Sequence, residues 1–350
     1  MCVVVREMEK EIKILGIETS CDETAAAVVA DGRRILSSVV ASQIDLHQQF
    51  GGVVPEIASR AHVEKILPLV RQAVEDAGLL PGDIDAVAVA NQPGLSIALM
   101  VGVTAAKTLA WAWGLPLISI NHIHAHLQSA VLDPDSIELP AAALVVSGGH
   151  TILFDVESPL ELNVLGTTID DAAGEAFDKV AAILGLPYPG GPNIEKAAGT
   201  GDSGAVRFPR SLMEKDSLDF SFSGLKTAVL YHVQGQDMRG ENRVKTMSEQ
   251  EIADIAASFQ SAVVDVLVEK SRRAAQKIRA RTILLGGGVA ANTALREAME
   301  AMCGQNGWTL QIAPRPLCTD NAVMVASLAY IKYQAGLFAD LSLEPRAVSD

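Results

Sequence analysis

The run Asn121-His122-Ile123-His124-Ala125-His126 sets two imidazoles, His122 and His126, four residues apart, so on a helix both project over the same turn. Two nitrogens so spaced can share a divalent ion, and the same spacing also arises where histidines pack at a domain junction. A zinc protease of the H-E-x-x-H type needs a glutamate beside its first histidine to deprotonate the metal-bound water. Ile123 stands at that position, which denies this segment the hydrolytic base. A third ligand must come from elsewhere. Asp320, in Arg315-Pro316-Leu317-Cys318-Thr319-Asp320-Asn321, is either the N-cap of a final helix or a carboxylate for the same ion.

Two glycine-rich turns follow apolar runs. Ser147-Gly148-Gly149-His150 reads as a hairpin turn, or as a turn whose amides face an anion. Gly286-Gly287-Gly288-Val289-Ala290-Ala291-Asn292 lies between a strand and a helix, where bare backbone can approach a ligand and a helix N-terminus favours phosphate. It matches neither G-x-G-x-x-G nor the P-loop, and the geometry favours a nucleotide over a plain turn. Asp170, Asp171, Glu175 and Asp178 form an acidic segment read as helical. On it Asp171, Glu175 and Asp178 share a face, which is solvated unless a cation or ligand occupies it. One such carboxylate can grip a ribose.

These groups need a scaffold, and the order of elements supplies one. Strands are expected at residues 12–17, 25–30 and 34–42, with Asp31-Gly32 as a hairpin turn, then helix 53–77, strand 86–90, helix 96–113 and strand 116–120. The order recurs: strands 142–146, 151–156 and 160–166, helices near 170–184 and 249–280, strand 282–285, a helix from Asn292, strand 309–312 and a final helix from Asn321. Two similar α/β lobes with a ligand cleft between them are expected, residues 12–138 and 139–335. A disordered extension (1–11), a linker near 132–139, a Gly/Pro-rich insertion or mobile loop near 186–224 and a tail (336–350) complete the organisation.

Composition narrows the class. At 350 residues, with 49% hydrophobic and 4% aromatic residues and 28 glycines, the chain suits an α/β protein of two domains. The four cysteines form no C-x-x-C pair, which fits a reducing cytoplasm. The first residues carry both charge signs and lack the apolar core of a secretory signal. Residues 94–114 approach the length of a membrane span, but Lys107 argues for a core or interface helix. A net charge of −14 argues against wrapping nucleic acid unaided. Lys270, Arg272, Arg273, Lys277, Arg279 and Arg281 form one basic stretch, read equally as a solvated face or a phosphate-contacting patch.

Taken together, several segments resemble the tRNA threonylcarbamoyladenosine biosynthesis transferase family, over about residues 12–332. They are Gly16-Ile17-Glu18-Thr19-Ser20-Cys21-Asp22-Glu23-Thr24, the stretch from His47 through Gly51-Gly52-Val53-Val54-Pro55-Glu56 to His62, the histidine run, Val145 to Thr151, Gly174 to Lys179, Phe222 to Lys226, Gly286 to Asn292 and Cys318 to Asn321. The resemblance is to the bacterial branch. It implies an actin-like ATPase fold of two ribonuclease-H-like lobes, and a cytoplasmic enzyme. The implied reaction moves a threonylcarbamoyl group from threonylcarbamoyl-AMP to the exocyclic amine of the adenosine beside the anticodon, in tRNAs reading codons that start with A. By motif it implies that His122, His126 and Asp320 hold one iron or zinc ion per chain. Val145, Val146, Ser147, Gly148 and Gly149 would touch the acyl-phosphate region, and Asp178, Gly191, Glu195 and Asn292 the ribose and adenine. Glu18 and Asp22 can border the reacting carbon, with no firm role. The implied partners are tRNA, a related actin-like subunit and a small P-loop ATPase, with no membrane, and helices 53–77 and 96–113 are expected to form this chain's side of the complex. A metalloprotease, a non-catalytic nucleotide-binding scaffold of the actin-like superfamily and a sugar kinase are the competing readings.

Overall fold

In the computed structural model, residues 10–131, 137–213, 217–235 and 243–348 are described. The expected N-terminal extension and the Asp133-Pro134-Asp135-Ser136 linker therefore lie outside the described residues, apart from Lys10 and Glu11 and the linker's flanks.

The first sheet holds β1 (Lys13–Glu18), β2 (Glu23–Ala30), β3 (Arg34–Ser42), β4 (Ala86–Gln92) and β5 (Leu117–Asn121) in the order β3-β2-β1-β4-β5. The second holds β6 (Ala141–Val146), β7 (Thr151–Ser158), β8 (Glu161–Thr167), β9 (Thr282–Gly286) and β10 (Thr309–Ile312) in the order β8-β7-β6-β9-β10. The two orders are the same. In each, the central strand pairs antiparallel with the strand that follows it and parallel with the fourth. This is the repeat of element order expected above. The hairpin turn at Asp31 and Gly32 has positive φ at both residues, 49° and 69°, as a right-twisted pair of strands requires.

Around the first sheet run α2 (Pro55–Asp76), α3 (Ser96–Trp113) and α10 (Ala322–Gln334); the remaining helices are α1 (Ile44–Gln48), α4 (His122–Ala130), α5 (Ala173–Ile183), α6 (Gly190–Ala198), α7 (Ser223–Gln234), α8 (Glu249–Ile278) and α9 (Thr293–Asn306). The chain separates into two compact units: residues up to 41, 59–122 and from 321 onward, and residues 42–58 with 123–320. Helix α10 joins the first unit because Gly16 lets it press onto β1, where an added Cβ would lie 2.4 Å from the Ala322 carbonyl. The residues after α10 also pack in the first unit. Ala339 bridges to Leu117, Lys107 donates to the Leu343 carbonyl, and Arg346 N donates to the Asn91 carbonyl.

Three readings change. Helix α5 starts at Ala173, so Asp170 and Asp171 precede it and the shared acidic face does not form. Asp171 instead accepts from Lys179 (2.7 Å) and Lys226 (2.8 Å). Among the described residues of 186–224, Gly190–Ala198 form α6 and α7 begins at Ser223, so they are not one long loop. The basic stretch of α8 is no open patch at its start. Lys270 is fully buried, donating to the Leu212 and Ser217 carbonyls, and Arg272 and Arg273 pair with Glu269. Helix α3 is long and apolar enough by composition to cross a membrane, yet Ala98, Leu99, Gly102, Val103, Ala106 and Ala110 are buried in the first unit.

Candidate functional site

Strand β5 ends at Asn121 and the chain turns at once into α4, so the histidine run is helical. Ile123, Ala125 and Leu127 enter the apolar core or are fully buried, which fixes the helix's rotation. His122 and His126 are then 6% and 1% exposed and one turn apart. Gly286 closes the packing, since a Cβ there would sit 2.5 Å from the His126 carbonyl. His124 lies edge-on to Phe154 at 6.0 Å, away from the pair.

Asp320 does not cap α10. Asn321 does, accepting from Met324 N at 3.0 Å, and the Asp320 carboxylate is left to meet His126 Nε2 at 3.1 Å. The donor atoms of His122, His126 and Asp320 all lie within 4.8 Å of one another. Two imidazoles and one carboxylate suit zinc or ferrous iron with a coordination position left over for another ligand. Donors about 2.1 Å from a tetrahedral ion stand roughly 3.4 Å apart, so the trio needs at most a rotamer adjustment to close on one. Ile123, at the position where an H-E-x-x-H site carries its glutamate, is buried in the core.

His122 has hydrogen-bond partners that motif spacing does not reveal. Glu18 Oε2 lies 2.9 Å from His122 Nδ1, Ser20 Oγ lies 3.0 Å from the same nitrogen, and Ser20 N donates to Glu18 Oε1 at 2.6 Å. Glu18 is fully buried and Asp22 is 8% exposed.

The glycine turns lie within the second unit. Val145 and Val146 are buried at the end of β6, and the turn after them is closed by Ser147 N donating to the His150 carbonyl at 2.8 Å. A Cβ on Gly148 or Gly149 would meet nothing within 4 Å, so these residues border open space. Helix α5 abuts the turn. Its Gly174 N donates to the Ser147 carbonyl at 3.1 Å, and a Cβ at Gly174 would lie 2.6 Å from that oxygen. The second turn requires Gly287, whose φ is +93° and whose Cβ would lie 2.4 Å from the Val146 carbonyl. A 3-10 turn (Gly288–Ala291) then leads to Asn292, which caps α9 by accepting from Leu295 N and donates to Gln260.

Helix α6 links the remaining residues. Asp178 accepts from Gly190 N at 2.7 Å, Gly191 borders open space, and Glu195 Oε1 accepts from Thr293 N at 2.8 Å beside Asn292. Gln260, Thr293, Lys179 and Lys226 were given no role in the sequence reading. Lys179 and Lys226 end the Gly174–Lys179 and Phe222–Lys226 motifs, whereas Gln260 and Thr293 lie in neither. Burial pushes the Asp171 carboxyl up, but hydrogen bonds from Lys179 and Lys226 outweigh it and hold the group below its ordinary range.

The family model for tRNA N6-adenosine threonylcarbamoyltransferase (TsaD) matches residues 34–327. A protein of that description from Moorella thermoacetica is 52% identical over 340 residues, 97% of this chain and 97% of its own length. Another, from Symbiobacterium thermophilum, is 53% identical over 330 residues, 94% of each chain. Among solved structures, component A of the (R)-2-hydroxyglutaryl-CoA dehydratase of Acidaminococcus fermentans is similar with a TM-score of 0.54 at 16% identity, covering 92% of this chain and 99% of that one. HypF of T. kodakarensis gives 0.60 at 15% identity, covering 95% of this chain and 49% of that one. At such identities the structural likeness speaks for the fold alone, and the fold is that of the actin-like ATPases.

Proposed function

This chain belongs to the tRNA N6-adenosine threonylcarbamoyltransferase family, and from that membership and the geometry above we propose how its residues divide the work. The reaction is formation of threonylcarbamoyladenosine in tRNA. The exocyclic amine of the adenosine beside the anticodon attacks the carbamoyl carbon of threonylcarbamoyl-AMP. A C–N bond forms, the C–O bond to the phosphate breaks, AMP departs and the amine gives up a proton. The amine needs positioning above all.

His122, His126 and Asp320 hold one divalent ion, zinc or iron. When bound, that ion supplies positive charge for the phosphate side of the ligand. The convergence of these three donors within 4.8 Å is the observation that carries the metal reading. Val145 to Gly149 line the acyl-phosphate region, where backbone amides of the open Gly148-Gly149 turn meet developing negative charge. Asp178, Gly191, Glu195 and Asn292 border ribose and adenine, a role supported by the hydrogen bonds that tie Asp178 to Gly190 and Glu195 to Thr293. Glu18 is occupied by His122 and Ser20, which leaves Asp22 as the buried acid of that turn to border the reacting carbon.

A net charge of −14 leaves part of tRNA binding to partners. We assign these as a related actin-like subunit and a small P-loop ATPase, acting with the chain in the cytoplasm where tRNA is modified. Helices α2 and α3 offer the docking side, since Val63, Leu67, Met100 and Trp111 are 64%, 60%, 52% and 74% exposed. The test is reconstitution with labelled threonine, bicarbonate, ATP, tRNA and the partner proteins. Label in tRNA that depends on this chain is expected, and label absent from tRNA overturns the reading.

A further inference from the structure

We propose that Glu18 is a positioning residue that fixes which nitrogen of His122 meets the metal; this rests on the metal reading given above. A carboxylate accepts at both oxygens and donates at neither when ionised. Oε1 of Glu18 accepts from Ser20 N at 2.6 Å and Oε2 faces His122 Nδ1 at 2.9 Å. With an acceptor on that side, Nδ1 must carry the hydrogen, and the ring meets a cation through Nε2. Ser20 Oγ, 3.0 Å from Nδ1, can donate or accept and so follows whichever form Glu18 imposes. Carboxylate–histidine–metal relays of this kind set ring orientation and raise ligand basicity.

The acid is held rigidly. Thr19 Oγ1 donates to the Ala98 carbonyl at 3.0 Å, and Leu95 N donates to the Ser20 carbonyl at 2.8 Å. Gly94 lies so close that a Cβ there would sit 2.6 Å from the same Ser20 oxygen. Glu18, Thr19 and Ser20 are 0%, 0% and 2% exposed, so water offers little substitute partnership. The arrangement also explains why a carboxylate stands here and an amide would not serve. In Glu18→Gln the single amide oxygen is claimed by the fixed Ser20 N–H, which turns the NH2 toward Nδ1. That donor favours a bare Nδ1 with the hydrogen on Nε2, the form that cannot ligate through Nε2.

The experiment uses the full chain and Zn2+ alone. Calorimetric titration of wild type, His126→Ala and Glu18→Gln is combined with 15N NMR of the Zn2+-loaded wild type, with His122 assigned by the loss of its signals in His122→Gln. Wild type is expected to coordinate through Nε2 of His122 with Nδ1 protonated, and Glu18→Gln to bind Zn2+ roughly 10- to 100-fold more weakly with unchanged circular dichroism. Coordination through Nδ1, or wild-type affinity in Glu18→Gln, overturns the proposal. If Glu18→Gln does not fold, the coordinating nitrogen of the wild type decides alone. Failure of the metal reading is separate: wild type then binds no Zn2+, or His126→Ala binds it equally well.

Discussion

Asp320 and Asn321 are neighbours with different work, and substitution separates them. Asn321 accepts from Met324 N, so Asn321→Ala is expected to lower stability by about 1 kcal/mol while bound metal persists. Asp320→Ala is expected to leave stability nearly unchanged and to lose the metal and the transfer activity together. Metal analysis and denaturant melts of the two variants check this, and equal metal content in both would contradict it. A backbone constraint operates at Gly287, where φ is +93° and the Val146 carbonyl leaves no room for a Cβ. Gly287→Ala is expected to cost more than about 2 kcal/mol, combining a strained conformation with displacement of β6 backbone. It should also weaken AMP binding, whereas Gly288→Ala, which opens onto empty space, should fold normally. Thermal melts with and without AMP measure both.

Among elements, α8 shows how the scaffold is held. Its start is fixed by the reciprocal Ser248 and Glu251 capping box, and its end by Arg279 in the left-handed region at φ 56°. Between them Phe259 meets Phe177 edge-on at 5.2 Å, and Gln260 reaches Asn292 at the glycine turn. Near its end Glu269 is held down at about 2 from an ordinary 4.5, first by the hydrogen bond from Arg272 and then by that from Arg273, against the opposing effect of burial. A depressed carboxyl stabilises fully above its unfolded value and loses that contribution as pH falls through the folded one. Glu269→Gln is therefore expected to be less stable than wild type at pH 7, with the difference closing as pH falls from about 4.5 toward 2. Urea unfolding at stepped pH reads this directly, and a gap that stays constant with pH would refute it.

For the whole molecule, the prediction concerns assembly. On α3, Ile97, Met100, Thr104, Thr108 and Trp111 recur at helical spacing and are exposed, while the opposite side of the helix is buried in the first unit. On α2, Val63 and Leu67 form a similar exposed pair. Leu67→Glu combined with Met100→Glu is expected to abolish co-purification with the actin-like subunit proposed above as a partner and to leave Zn2+ affinity and melting temperature within error of wild type. Retained assembly would remove these helices from the interface.

Much of this protein is determined by sequence alone. Buried strands declare themselves as short apolar runs, turns by Asp-Gly and Gly-Gly pairs, and α3 by its apolar length, so element order and its repetition are legible from local chemistry. The histidine pair is legible too, because helical spacing brings His122 and His126 together without help from the rest of the chain. Other features depend on contacts distant in sequence. Asp320 and Asn321 are equally able to cap a helix by residue type, and only the fold gives the Met324 N–H to Asn321. Lys270 belongs by sequence to a basic stretch, and only the fold brings the Leu212 and Ser217 carbonyls to its ammonium. Glu18 reaches His122 only because β1 and β5 flank β4 in one sheet, a pairing between segments about a hundred residues apart. Local pattern decides which elements form; which side chain then receives which hydrogen bond is decided by tertiary packing, because each buried polar group must find its partner there.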